Sequence, residues 1–260
     1  IDRFLGPGSF VLLGIIALLY FVIQKSGVSI SFRLREGTLA YRLKQKLKSF
    51  YGEFGIYLIA GFSIAATFGI LFFKLANDVL QREIKWFDAS IMSYITVSNL
   101  TFMDFVSHIF NLMDNPIVFV ILVMIFLLYI KFFYKKNIYS GMALVTFIGS
   151  FFLQWGFKSF YKRPRLPNVS ADFFAYSFPS GFIVVFTAIL GYVAFLLLKN
   201  KSKAKKLIII SVWVFLMVVL SVCRIRAGIS YPSDVLAGFL LGGLWLAICI
   251  VGTKALEHYR

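Results

Sequence analysis

The sequence contains few side chains suited to proton transfer, metal binding or disulfide formation. Its 260 residues include only two histidines, two cysteines and 11 acidic residues. No cluster of His, Cys or carboxylate residues has the spacing of metal ligands, so neither a metal site nor a cofactor is predicted. Cys223 and Cys249 belong to opposite ends of predicted membrane helices, too far apart for the Cα separation of about 7 Å that a disulfide tolerates. We interpret both cysteines as packing residues.

Charge is also scarce within seven long apolar stretches. The chain is 60% hydrophobic with a mean hydropathy of +0.86, whereas a soluble domain is about 45–50% apolar. Each stretch has about 15–20 residues, the length required to cross a hydrocarbon core of about 30 Å. The stretches are residues 5–23, 54–73, 116–130, 138–157, 182–198, 207–223 and 235–251. The sequence therefore predicts an all-α, polytopic membrane bundle, with a six-span core and one additional N-terminal span.

The net charge of +16 could indicate a nucleic-acid-binding protein, but the distribution of the charge argues against this. Most basic residues lie between the first and second stretches, the third and fourth, the fifth and sixth, and after the seventh. The positive-inside rule makes these segments cytoplasmic. We expect the N-terminus outside and the C-terminus inside, in what the composition suggests is a bacterial plasma membrane, and we expect no nucleic-acid partner.

Three segments are predicted along the chain. Residues 1–24 form a retained transmembrane anchor, since they lack the basic n-region and small-residue cleavage site of a signal peptide. This anchor could contact a membrane-protein partner. Residues 25–52 form a basic cytoplasmic linker with an amphipathic helix at 31–50 suited to an anionic membrane surface, the alternative being a solvated linker. Residues 53–260 form the six-span domain.

Basic residues crowd into two loops on the predicted outer face. Their only acidic companions in those loops are Asp172 and Asp234. Such crowding at a membrane boundary is unfavourable unless an anion compensates it, and Arg presents a bidentate fork to phosphate oxygens. A phosphate or pyrophosphate group is the expected counter-ion, and contact with lipid headgroups is the alternative. The six basic residues are Lys158, Lys162, Arg163, Arg165, Arg224 and Arg226.

The stretch FPSGFIVV, residues 178–185, lies between these loops. Its Pro-Ser-Gly turn leads directly into an apolar run and so predicts the N-terminus of a membrane helix. Helix N-termini present unpaired backbone N–H groups and a positive dipole end, which suit a phosphate. Phe182, immediately after the turn, can neither donate nor accept a proton.

Three short segments resemble the motifs of the type 2 phosphatidic acid phosphatase superfamily. KSFYKRPRL, residues 158–166, is similar to a Lys followed after six residues by Arg-Pro, with Leu166 in place of Pro. PSGF, residues 179–182, is similar to Pro-Ser-Gly-His, with Phe182 in place of His. CRIRAGISYPSD, residues 223–234, resembles Ser-Arg, five residues, His, three residues and Asp, with Cys223 and Ser230 as replacements.

The resemblance implies a metal-independent site on the outer face that forms a phosphohistidine. In the family, the His of the third motif attacks phosphorus and is oriented by the Asp, which matches Asp234. The His of the second motif protonates the leaving oxygen, and Phe182 occupies that general-acid position. Ser230 stands where the nucleophile is expected. The residues that the resemblance assigns to phosphate binding are Lys158, Arg165, Ser180, Gly181 and Arg224.

The chain thus resembles a degenerate member of the family that lacks both catalytic histidines. Loss of a nucleophile and its partner removes most of a site's rate enhancement, although phosphoryl transfer also depends on positioning and electrostatics. We therefore expect a protein that binds a phosphorylated lipid or its headgroup without hydrolysing it, as a sensor, carrier or regulatory partner.

Other functions stay open at this point. One is an active phosphatase or phosphotransferase with a rearranged site, acting on a polyprenyl pyrophosphate, phosphatidate or phosphatidylglycerophosphate. In it, Ser230 could attack with Asp234 as base, or His108 could reach the site; His258 is excluded because it is predicted to be cytoplasmic. Another is a transporter or assembly partner in which the pocket is a relic.

Overall fold

The computed structural model describes residues 39–97, 116–134, 137–166 and 176–259. Seven α-helices account for nearly all of this part of the chain. The predicted N-terminal span at 5–23, His108 and Asp172 lie outside the described residues. The helices are α1 (Leu39–Leu80), α2 (Lys85–Val97), α3 (Pro116–Phe133), α4 (Asn137–Tyr161), α5 (Gly181–Leu197), α6 (Lys203–Arg226) and α7 (Pro232–His258).

The helices confirm the prediction of an integral membrane protein. Four segments of the described residues are long and apolar enough to cross a bilayer, namely Tyr57–Leu80, Asn137–Tyr161, Lys203–Arg226 and Pro232–His258. Two shorter apolar helices, Ile121–Phe133 and Gly181–Leu197, coincide with the predicted third and fifth of the seven stretches. Large apolar side chains on the outer faces of these helices are exposed, as expected for surfaces that contact lipid.

The basic segment before the second predicted span is not a separate helix. From Leu39 onwards it is helical and runs without interruption to Leu80. At 1.5 Å per residue, α1 is about 63 Å long, roughly twice the thickness of the hydrocarbon core. The linker–domain boundary predicted at residue 52 therefore falls inside a continuous helix, which Gly52 and Gly55 do not interrupt.

Helix α7 lies at the centre of the bundle and packs most extensively on α1 and α5. Two glycines spaced by four residues allow the close approach to α5. A Cβ added at Gly242 would lie 2.6 Å from the Val184 carbonyl oxygen, and one at Gly238 would lie 3.0 Å from the Ser180 carbonyl oxygen. Small residues at this spacing let membrane helices approach backbone to backbone. This packing brings the N-termini of α5 and α7 together at one end of the bundle.

The opposite end of the same helix pair is held by charged and aromatic side chains. Lys199 forms an ion pair with Glu257, which also binds Lys254 at 3.0 Å. The Lys199 ammonium lies 4.0 Å from the centre of the Tyr139 ring. Burial lowers the pKa of Lys199 despite its carboxylate partner. These contacts link α4, α5 and α7 far along the helices from the Pro-Ser-Gly turn.

Candidate functional site

The segment just before the Pro-Ser-Gly turn is attached to the end of α4 by two backbone contacts and one side-chain contact. Ser177 N–H donates to the Arg163 carbonyl oxygen at 2.9 Å, and Pro164 pairs with Tyr176 in an isolated antiparallel bridge. Lys158 Nζ donates to the Tyr176 carbonyl oxygen at 2.7 Å. The two segments that carry the first and second motif resemblances therefore lie side by side, although residues 167–175 between them are outside the described part.

Helix α5 begins at Gly181, directly after this turn. Ser180 N–H donates to the Asp234 carbonyl oxygen at 3.0 Å, which ties the turn to the start of α7. The Ser180 side chain does not cap α5; its Oγ instead lies 3.1 Å from Ser230 Oγ. The first backbone N–H groups of a helix have no intrahelical acceptor. The start of α5 is thus built like an anion site, between Lys158 on one side and Ser230 on the other.

The position expected to hold a proton donor is filled by an apolar ring. Phe182 is 8% exposed and belongs to a buried cluster with Ile183, Met217 and Leu220. Its ring stacks on Phe186 with 4.2 Å between ring centres. The Arg224 guanidinium carbon lies 4.8 Å from the centre of the Phe182 ring, a distance at which a cation is attracted to the ring face.

Arg224 joins the third motif to this arrangement through its backbone as well. Its side chain is buried, and its carbonyl oxygen accepts hydrogen bonds from Ile229 N–H at 3.1 Å and Ser230 N–H at 3.4 Å. The chain turns back at Gly228, whose φ of +67° lies in the left-handed region that glycine adopts without strain. Arg224 and Ser230 are held close together by this turn between α6 and α7.

Arg163 occupies the centre of a buried ionic network that the sequence analysis did not predict. Its Nη1 donates to Asp234 Oδ1 at 2.5 Å and to Ser233 Oγ at 2.8 Å, and its Nη2 donates to Asp88 Oδ2 at 2.7 Å. Burial lowers the pKa of Arg163, but the charge of Asp234 and the hydrogen bond with Asp88 outweigh burial and hold the pKa above its ordinary value. Arg163 is therefore a permanent cation between two carboxylates.

Asp88 also caps α7 from another helix. Its Oδ1 accepts the Ser233 backbone N–H at 2.8 Å, and its Oδ2 accepts the Ser233 hydroxyl at 2.8 Å. A carboxylate at a helix N-terminus interacts favourably with the unpaired N–H groups and the dipole there. The network thus joins α2, the end of α4 and the start of α7.

The predicted site residues occupy one end of the bundle, but in different settings. Two pairs of these residues are in contact. A Cβ added at Gly181 would lie 3.2 Å from Lys158 Cε, and Ser180 Oγ lies 3.1 Å from Ser230 Oγ. Arg165 lies two residues beyond Arg163, next to the Pro164–Tyr176 bridge, and is half-buried. The excess of positive charge is smaller than the sequence of the two loops indicated. Asp88, which lies on α2 outside these loops, forms an ion pair with Arg163.

The Ser230–Asp234 pair considered as a rearranged nucleophile is not the pairing seen. Ser230 Oγ bonds to Ser180 Oγ, while Asp234 binds Arg163 and accepts the Tyr231 backbone N–H at 3.4 Å. Among the described residues, no group of three or more His, Cys, Asp or Glu residues is arranged to hold a metal ion. Asp88 and Asp234 are bridged by a guanidinium instead.

The sequence analysis did not identify Asp88 or Gln154 as site residues, and only Asp88 had a recognisable signal. Arg163 was one of the crowded basic residues, and a buried cation requires a carboxylate partner. That partner could therefore be expected among the acidic residues outside the two loops, which include Asp88. Gln154 on α4 lies one helical turn before Lys158 and packs against Gly181. A single glutamine within an apolar span carries no motif and could be identified only in the folded structure.

Comparisons with known proteins agree with the helical architecture. The solved structure of a transmembrane PAP2-type phosphatidylglycerolphosphate phosphatase from Bacillus subtilis superposes with a TM-score of 0.63 at 20% sequence identity. The similarity covers 75% of this chain and 98% of that one, and at this identity it shows the fold. No curated protein matches the sequence. Residues 138–257, which include α4 to α7 and all three motif resemblances, match the family model of the PAP2 superfamily. This match and the motif resemblances within the same segment support membership of the PAP2 superfamily.

Proposed function

We propose that this membrane protein binds a phosphorylated lipid, or its phosphate-bearing headgroup, at the α5 N-terminus without hydrolysing it. It would act as a sensor, carrier or regulatory partner. The pocket is proposed to face the extracytoplasmic side of a bacterial plasma membrane, as the distribution of basic residues indicates. The anion would be held by Lys158, Arg165, Ser180, Gly181 and Arg224.

The observation that carries this proposal is the setting of Phe182. A general acid must lie within hydrogen-bond reach of the leaving oxygen, and Phe182 places a buried apolar ring at that position, stacked on Phe186 and covered by Arg224. Imidazole chemistry is absent there, whereas the cationic side chains around the turn are retained. Retained charge together with an apolar ring favours binding over turnover.

Two further contacts support the proposal. Asp234, which would orient a nucleophilic histidine, is engaged by Arg163. Ser230, at the position of the nucleophile, bonds to Ser180. A serine hydroxyl is a weak nucleophile without an adjacent general base, so these pairings argue against the alternative of an active phosphatase.

The proposal is tested on the purified chain in detergent. We expect short-chain phosphatidate to raise the melting temperature of the wild type, and this shift to disappear in the double variant Lys158→Ala/Arg165→Ala. Lys85→Ala removes an exposed cation at the start of α2 and serves as the control, with the shift retained. No phosphate should be released from phosphatidate, phosphatidylglycerophosphate or a polyprenyl pyrophosphate. Release that Arg224→Ala abolishes would establish the phosphatase alternative.

A further inference from the structure

Gln154 places a buried hydrogen-bond acceptor directly against the first residue of α5. The side chain is 3% exposed, and a Cβ added at Gly181 would lie 2.2 Å from Gln154 Oε1. Within the part of the chain that the structure describes, Oε1 has no hydrogen-bond partner. The amide oxygen therefore lies directly against Gly181, the first residue of α5.

An unpaired acceptor at this position is unusual in two respects. Buried polar atoms in native proteins nearly always form a hydrogen bond, since burial without one is unfavourable. The groups around the α5 N-terminus, which are backbone N–H groups and the Lys158 ammonium, are donors that attract an anion. A carbonyl oxygen among them would repel a fully ionised phosphate oxygen, and it would bind an oxygen that carries hydrogen.

The protonation states of phosphate then determine what such an acceptor can recognise. A phosphomonoester in its monoanionic form retains one P–OH group, which it loses with a pKa of about 6. A phosphodiester has no P–OH group at any neutral pH. An acceptor beside the anion site thus distinguishes a terminal phosphate from a bridging one.

We propose that Gln154 is a specificity-determining residue whose Oε1 accepts a hydrogen bond from the protonated oxygen of a bound phosphomonoester. This inference rests on the proposed function, and it narrows the ligand to lipids or headgroups that end in a phosphate. Gly181 serves the same contact, because any side chain there would displace the amide.

Charged groups on the neighbouring elements would act on the phosphate together with Gln154. Lys158 lies on α4 and Arg224 on α6. On α7, Asp234 is compensated by Arg163, which also holds Asp88 of α2. Lys158 and Arg224 attract the anion whether or not it is protonated. Comparing variants at position 154 under identical conditions therefore isolates the contribution of the amide.

The test uses the full chain and two matched probes, dioctanoyl phosphatidate as the monoester and dioctanoyl phosphatidylmethanol as the diester. Gln154→Met keeps the length of the side chain and removes the strong acceptor. We expect it to weaken phosphatidate binding about two- to tenfold at about pH 5, the value of one ordinary hydrogen bond. The loss should shrink at about pH 8, where the P–OH is ionised, and phosphatidylmethanol binding should be unchanged.

Two controls keep the result interpretable. Thr146→Val alters another buried polar residue of α4, away from the turn, and should leave both affinities as in the wild type. Gln154→Glu keeps the shape of the side chain but introduces a carboxylate. We expect it to reduce binding at about pH 8 more than at about pH 5, so that it tests the proposal if the methionine variant does not fold.

The outcomes separate this inference from the proposed function. If wild type binds phosphatidate and both position-154 variants keep its affinity and pH dependence, the role of Gln154 is wrong while phosphate binding stands. The same conclusion follows if Gln154→Met weakens monoester and diester binding equally. If wild type binds neither probe, both proposals are overturned.

Discussion

Arg163 Nη1 lies 2.5 Å from Asp234 Oδ1, although 71 residues separate the two in sequence. The Asp234 side chain is fully buried, and that of Arg163 is 16% exposed. Asp234, which the motif resemblance matches to an orienting aspartate, is thus bound to a cation of the same chain. Since Arg163 also binds Asp88, the arrangement is stable without an imidazole and joins three helical segments at the end of the bundle that carries the candidate site.

The network predicts an order of stabilities. Arg163→Met leaves two buried carboxylates without their cation and should lower the free energy of unfolding by about 3–5 kcal/mol. Asp88→Asn keeps the Arg163–Asp234 pair and should cost less, about 1–3 kcal/mol for weakened charged hydrogen bonds. Thermal unfolding of the purified variants in the same detergent measures both effects.

Glu83→Gln is the matched control for Asp88→Asn, since Glu83 is an exposed carboxylate close to α2. Its melting temperature should equal that of the wild type. If Arg163→Met had the same melting temperature as the control, the ionic network would not contribute to stability. The role of the Asp88–Arg163 ion pair in attaching α2 would then be wrong.

The sequence allowed the membrane architecture and the turn to be predicted because both depend on local patterns. Uncharged runs of sufficient length indicated the spans, and α5 begins at Gly181, immediately after Pro-Ser-Gly, because proline and glycine punctuate helices. The seven motif-matching positions also lie at one end of the bundle, as expected from their placement at the ends of the apolar runs. Each of these predictions depended only on residues that are close together in the sequence.

The pairings inside the site could not be predicted in this way. Asp88 and Arg163 are 75 residues apart, and their contact depends on where α2 crosses the start of α7. The Pro-Ser-Gly turn gave no indication that Gln154 would pack against Gly181. The change in polarity near residue 52 likewise gave no indication that one helix, α1, runs through this position.

Close packing of α7 on α5 should depend on Gly242. An alanine Cβ there would lie 2.6 Å from the Val184 carbonyl oxygen and 2.8 Å from Thr187 Cβ, so the helices must separate. We expect Gly242→Ala to cost about 1–3 kcal/mol of stability and to reduce phosphatidate binding, because α7 carries Asp234 to the turn.

Gly156→Ala is the control for this substitution. Gly156 is also helical, but a Cβ there meets nothing within 4 Å, and alanine favours helix by about 1 kcal/mol over glycine. This variant should be as stable as the wild type or more so. Equal destabilisation of the two variants would mean that the close α5–α7 contact at Gly242 does not determine the stability of the protein.

Phe182 should contribute to binding by positioning Arg224. Phe182→Leu keeps an apolar side chain but removes the ring face that lies 4.8 Å from the Arg224 guanidinium. The lost cation–π attraction of about 0.5–2 kcal/mol should weaken phosphatidate affinity by about two- to 30-fold, measured by titration. Phe186→Leu, which removes the stacking partner and leaves the Arg224–ring contact, should have the smaller effect on affinity; the reverse order would contradict a role for the ring face.

Introducing histidines at positions 182 and 230 should not produce phosphatase activity. In Phe182→His/Ser230→His, the first imidazole enters the apolar cluster with Met217 and Leu220. The second meets an Asp234 that is still bound to Arg163 and so is not available as its sole orienting partner. We expect the variant to bind phosphatidate and to release no phosphate from it or from phosphatidylglycerophosphate, in an assay where an active phosphatidylglycerophosphate phosphatase is the positive control.

Adding Asp234→Asn to the double variant provides the decisive comparison. Phosphate release by the double variant that disappears with Asp234→Asn would show that Asp234 can orient a histidine despite Arg163, and would contradict the prediction. Equal absence of release from both variants, with phosphatidate binding retained by the double variant, is the expected result. It would show that the Arg163–Asp234 pairing and the apolar surroundings of residue 182 prevent phosphate release even when both imidazoles are present.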